Sequence, residues 1–133
     1  MFEASTKGKG RCEAFPDVCR MENGKMESYT NKAELHQADG ETCSTKVRIR
    51  NKKVCTQKTE IRLSAGNEEG EKGGIISGEI CGQVTFRKGS SKVSVEAERI
   101  VHTGTPTSHN GSNANTPLGR QVEASQGKVF VQE

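Results

Sequence analysis

The chain has 133 residues, with 20 basic and 17 acidic side chains for a formal net charge of +3, three histidines, five cysteines and no tryptophan. That length holds one ordinary domain, and the near balance of charge, spread along a chain with almost no aromatics to stack on bases, argues against a nucleic-acid partner. No apolar run approaches the length of a membrane-spanning helix, so stable membrane insertion is not expected.

Only 30% of residues are hydrophobic. The core must therefore be thin, and a small domain with a thin core needs support from a metal, disulfides or a partner's surface. The first residues, MFEASTKGKGRC, lack the apolar segment of a secretory signal. The expectation is a protein made in the cytoplasm, exported only by machinery that needs no cleaved signal. In that reducing compartment, Cys12, Cys19, Cys43, Cys55 and Cys81 favour metal ligation or plain burial over a disulfide framework.

In chain order, Met1 to Gly10 reads as a polar arm that orders only against something else. EAFPDVC is a short apolar knot ending at Cys19. Residues 20–43 are strongly polar and read as a mobile insertion, in which SYTNKAELHQA has the features of a short helix capped by Ser28 or Asn31. KVRIRNKKVCTQ places Val47, Ile49 and Val54 among charged neighbours around Asn51, the pattern of a half-buried hairpin. EIRLS continues with Ile61 and Leu63 on one face, and AGNEEGEKGG is an acidic, glycine-rich loop over residues 65–74. GIISGEICG, QVTFR and KVSVEAERIV read as strands, the last with Val93, Val95 and Ala97 alternating against polar residues. IVHTGTPTSHNG then reads as a strand end followed by an irregular polar loop, and after GSNANTP comes a last strand, KVFVQ. Every clear element is a strand, closely punctuated by glycine, which predicts a compact folded-over β structure without internal repeats.

Two pairs of soft donors have the same spacing, six residues between partners: Cys12 with Cys19, and His102 with His109. Imidazole and thiolate together suit a tetrahedral zinc site. The bland alternative is that His102 caps a strand and His109 bonds within its loop. A catalytic reading pairs Cys19 as nucleophile with His102 or His109 as base, or Glu68 with Glu69 as an acid pair. No nucleophile elbow surrounds the cysteine, and no phosphate-cradling glycine motif is present.

MFEASTKGKGRCEAFPDVC, the block from KVRIRNKKVCTQ through GGIISGEICGQVTF to SSKVSVEAERIV, and TPTSHNG together resemble the PAAR-like proteins that tip the spikes of contractile injection systems of the type VI secretion kind. The resemblance covers residues 1–112 outside the insertion. It implies one domain over residues 1–133, a mainly β, small compact cone with short glycine-punctuated strands and a polar insertion at 20–43. It implies no catalysis, a trimeric VgrG-type spike protein as partner, effectors as linked cargo, and export from the bacterial cytoplasm by the contractile apparatus. It also implies a structural zinc near the point, held here by Cys19, His102, His109 and a fourth ligand, Cys12, with Cys81 and His36 as alternatives. His102 matches the family's pattern only with a shift of one residue, and a proline-rich stretch usual after FPDVC is missing. The alternative from another class is a small thiol- or zinc-dependent hydrolase acting as a toxin. For the surface that meets the spike, Ile75, Ile76, Ile80 and Val84 in the least charged stretch are the candidates, each equally suited to plain core.

Overall fold

The computed structural model describes residues 1–133. β1 (Phe2–Glu3) is followed by β2 (Arg11–Arg20), β3 (Met26–Glu34) and 3₁₀ turns at Leu35–Gln37 and Gly40–Thr42. A tight pair, β4 (Arg48–Ile49) and β5 (Lys52–Lys53), precedes β6 (Glu60–Ile61) and β7 (Val84–Phe86). A second tight pair follows, β8 (Ser94–Val95) and β9 (Glu98–Arg99), and then β10 (Pro106–His109), β11 (Thr116–Glu123) and β12 (Phe130–Val131). The mainly β architecture expected from the sequence is the one observed.

Six strands form one antiparallel sheet in the order β3-β2-β11-β10-β7-β6. Its spine is β2, and the inward face of β2 changes phase along its length. Cys12 and Ala14 point inward, the register against β3 then shifts between Ala14 and Asp17, and beyond that shift Asp17 and Cys19 are the buried residues. An extra residue in one strand of an antiparallel pair has this effect, because side-chain parity is two. Pro16 has no N–H to give a ladder and sits in the irregular step, where none is needed.

Several expectations are corrected. Residues 20–43 hold no α-helix, only the two short 3₁₀ turns: Met26–Glu34 pairs along the length of β2 from Arg20↔Met26 to Arg11↔Glu34, and its backbone satisfies the sheet edge although Asn31 and Ala33 are its only buried side chains. The amino-terminal arm is ordered by its own chain, since Phe2 and Glu3 pair with Val131 and Phe130 while Ala4, Ser5 and Thr6 are buried. GIISGEICG is not a strand but a looped segment. KVSVEAERIV is two strands rather than one, because Glu96 and Ala97 both take positive φ (52° and 70°) and reverse the chain. The predicted reversal at Asn51 is present in the same form, with Arg50 and Asn51 at φ 51° and 65°; both are the twist-matched turn that suits two-residue hairpins. Ile61 is buried but Leu63 is exposed, so the two do not share a face. The second half of the histidine stretch is a strand, β10, and not a loop.

The main apolar cluster comprises Cys12, Ala33, Leu35, Ala38, Cys43, Cys55, Ile61, Val84, Phe86 and Val101. Three of these are cysteines, acting as small hydrophobes. Buried polar side chains outnumber buried apolar ones, and only the hydroxyls of Thr56 and Thr103 lack a hydrogen-bond partner. Of 63 backbone hydrogen bonds, 35 lie outside the regular ladders, so packed loops, as much as sheets, hold the molecule. One such loop depends on glycine: Gly66 has φ +114°, and a Cβ there would stand 1.9 Å from the Thr30 carbonyl oxygen. Gly78 also has positive φ but faces open space. Gly66→Ala is therefore expected to lower unfolding free energy by about 3 kcal/mol or more and Gly78→Ala by only about 1 kcal/mol, read from urea denaturation midpoints.

Candidate functional site

The phase change in β2 delivers a carboxylate to the interior. Asp17 is fully buried and has no basic partner among the ion pairs of the fold, which join Arg11 to Glu13 and Glu123, and Arg62 to Asp39. A buried carboxylate without a cation must be matched by hydrogen-bond donors. Four asparagine amides supply them. Asn110 and Asn115 donate to Oδ1, while Asn67 donates to Oδ2 at 2.8 Å and Asn31 at 3.2 Å.

Each amide then turns its oxygen outward to hold another segment. Asn67 accepts from the Cys81 amide at 2.9 Å, Asn110 from the Gly82 amide at 2.8 Å, and Asn115 from the Ile76 amide at 2.8 Å. Asn31 accepts from His109 Nδ1 at 2.7 Å. Residues 74–82, which form no strand, are thus pinned at three backbone amides to one buried charge.

This network also defines His109. Its Nδ1 faces an amide oxygen and so carries the proton; Nε2 then accepts from the Thr107 hydroxyl at 2.7 Å. The ring lies on Gly119, where a Cβ would stand 2.6 Å from Cδ2 and Nε2. Burial lowers its pKa from the usual 6.5 to about 4, so it is neutral and already fully hydrogen-bonded.

The four side chains expected to bind zinc do not converge on one point. Cys12 lies in the main apolar cluster, where burial, aided by Glu34, pushes its thiol to about 12. Cys19, on the same strand, is seven residues and roughly 20 Å of extended chain away. It is buried beneath Gly70, accepts from Asn67 Nδ2, and is shifted upward by burial and by Asp17. His102 stacks on Phe2, with ring centroids 4.9 Å apart, and its Nδ1 bonds the Thr103 carbonyl at 2.8 Å. His109 is committed as above. Of the alternative fourth ligands, His36 is exposed on the first 3₁₀ turn and Cys81, at φ 55° outside any strand, donates to Asn67 Oδ1. No three histidine, cysteine or acidic side chains gather in a geometry that could hold a metal ion. As arranged, these donors do not fit a structural zinc.

The catalytic pairings fare no better. The polar partner of Cys19 is Asn67 rather than an imidazole, and Glu68 is an exposed side chain spent on the Gly66 amide. The asparagines were the residues missed by sequence reasoning. GSNANTP was visible as asparagine-rich, but neither that richness nor the burial of Asp17 in FPDVC announced a shared centre.

The chain belongs to the Tox-PAAR-like family: the model of that family, described as a toxin PAAR-like domain, matches residues 10–117. The match includes Asp17 and all four asparagines. No curated protein and no solved structure is significantly similar to the chain.

Asp17→Asn, which sets an amide against four donors, leaves several of them unpaired. At 1–3 kcal/mol for each, it is expected to cost about 3 kcal/mol or more, measured by urea unfolding, and to speed hydrogen exchange at Ile76, Cys81 and Gly82. His109 imposes a pH dependence of definite sign. Its folded pKa lies below its unfolded one, so its contribution is complete above pH 6.5, declines as pH falls and is lost below about pH 4. The total is about 3 kcal/mol, visible as the difference in stability curves between the parent and His109→Gln.

Proposed function

We propose that this chain caps a trimeric VgrG-type spike, closing the tip of a contractile injection device and linking effectors to it, and that it leaves the bacterial cytoplasm with that device. Family membership supports the general assignment. The observation that carries the docking surface is the exposure of Ile75, Ile76 and Ile80, with Ile76 at 55%, in a chain short of apolar residues. Val84, their neighbour in sequence, is fully buried and belongs to the core. Leu63 is exposed too, and the next residue ties its segment to this loop, the Ser64 N–H bonding the Cys81 carbonyl at 3.2 Å. Several branched apolar side chains exposed together on one firmly anchored loop are the kind of patch that marks an interaction surface. Docking on a trimer would bury them against an apolar surface, the usual anatomy of an interface centre.

The word toxin in the family's description favours a second reading, a small thiol- or zinc-dependent hydrolase. It would require an accessible nucleophile or an open metal position, and Cys19 is neither exposed nor paired with a base.

The test is co-elution with the trimeric spike proteins of any contractile system encoded alongside. The parent is expected to bind. Ile76→Asp is expected to remain soluble and folded yet bind at least thirtyfold more weakly, since a central apolar anchor contributes about 2 kcal/mol or more. Val84→Asp is expected to abolish folding. A parent that never co-elutes, or an Ile76→Asp variant that binds as well as the parent, overturns the proposal.

A further inference from the structure

The five cysteines are free thiols, and two of them face each other across a strand-like pair that bears on no part of the proposed docking surface. The Ser44 amide donates to the Val54 carbonyl at 2.9 Å, and the Val54 amide returns a bond to the Ser44 hydroxyl at 2.8 Å. This one backbone bond and the hydroxyl bond beside it hold Ser44 against Val54, and so bring their chain neighbours Cys43 and Cys55 together. The two thiols lie within hydrogen-bonding reach of each other, the proximity a disulfide needs. Both side chains are buried in the same apolar cluster.

Beyond this neck the chain makes an excursion at Thr45, Lys46 and Val47, then the β4–β5 hairpin. The excursion is held by Glu96, whose carboxylate accepts from the amides of all three residues and from the Thr45 hydroxyl. Glu96 is exposed, and the same cleft reaches Cys43 between Lys58 and Glu96.

We propose that Cys43 and Cys55 form an oxidisable pair that becomes a disulfide when the chain meets a small-molecule disulfide, stapling the neck of the β4–β5 hairpin. The Cys43 thiolate attacks one sulfur of glutathione disulfide, forming a mixed disulfide and expelling one glutathione thiolate. Cys55, losing its proton to solvent, then attacks Cys43 Sγ and expels the second glutathione thiolate, so two protein thiols are oxidised and one glutathione disulfide is reduced. Cys43 lines the cleft while Cys55 is fully enclosed, which sets the order of attack, and the neighbouring Cys55 thiol, Thr59 hydroxyl and the charges of Lys7 and Lys53 favour the Cys43 thiolate. Cys19 and Cys81 do not compete: they bond opposite atoms of the Asn67 amide, which stands between them. The inference is independent of the spike-tip reading.

The experiment incubates the full chain with reduced or oxidised glutathione, unfolds it in an alkylating reagent, and maps tryptic peptides. The oxidised sample is expected to lose two hydrogens in intact mass and to join peptide 33–46 to peptide 54–58, the fragments that carry Cys43 and Cys55. Its melting temperature is expected to rise by roughly 5–10 °C, a shift that Cys43→Ser removes. Alkylation of both thiols in the oxidised sample, or a cross-link from 54–58 to the 12–20 peptide instead, overturns the proposal. The mapping is done on the parent, so an unstable variant does not leave the question open.

Discussion

The fold is organised around a buried negative charge that has no counter-ion. Asp17 can sit inside this small protein only because four side-chain amides converge on it, and the amides converge only when β3, the 64–67 segment and the 110–115 loop are all in place. The requirement runs both ways. An unmatched carboxylate in the interior is costly, and four asparagines with unfilled donors are costly too, so partial assembly of the centre has little stability. This reciprocity gives a chain with a thin apolar core a single arrangement of its loops.

The consequence is a division of labour unusual for so small a domain. Apolar packing, centred on Leu35, Ile61, Val84 and Phe86 with three cysteines among them, supports the middle of the sheet. The irregular end is held by polar contacts instead. There the 74–82 segment, with hardly any buried apolar side chain of its own, is fixed by three amide oxygens whose nitrogens answer to Asp17. Its isoleucines are therefore free to face outward from a rigid backbone. A presenting surface of this kind loses little conformational entropy on binding, which suits the docking role proposed for it.

Imidazole and thiol are as useful to such a centre as they are to a metal, and sequence spacing alone does not tell the two uses apart. His109 has the residue type and position expected of a ligand. In the folded chain both ring nitrogens are already bonded, one to Thr107 and one to Asn31, and Cys19 lies against an amide and a glycine. The equal spacing of Cys12–Cys19 and His102–His109 has no geometric meaning, because β2 is extended and carries its two thiols to different regions, while His102 is drawn to Phe2 on the β1–β12 layer.

Features that depend on neighbours in the chain could be read from the residues alone. The strand-rich character, the reversal at Asn51, the strands QVTFR and KVFVQ and the family membership were all legible, since alternation, turn chemistry and motifs are local signals. The pairing of a polar segment such as MESYTNKAE with β2 was not, because its stability comes from the partner strand's hydrogen bonds and not from its own apolar residues. The reversal at Glu96 and Ala97 was also hidden, as neither residue is a usual turn former and the carboxylate is held by amides fifty residues away. Packing in three dimensions makes Val84 core and Ile76 surface, and makes Asp17 the centre of the site. A buried polar network is a statement about which donors meet which acceptors in space, and no periodicity in the chain encodes it.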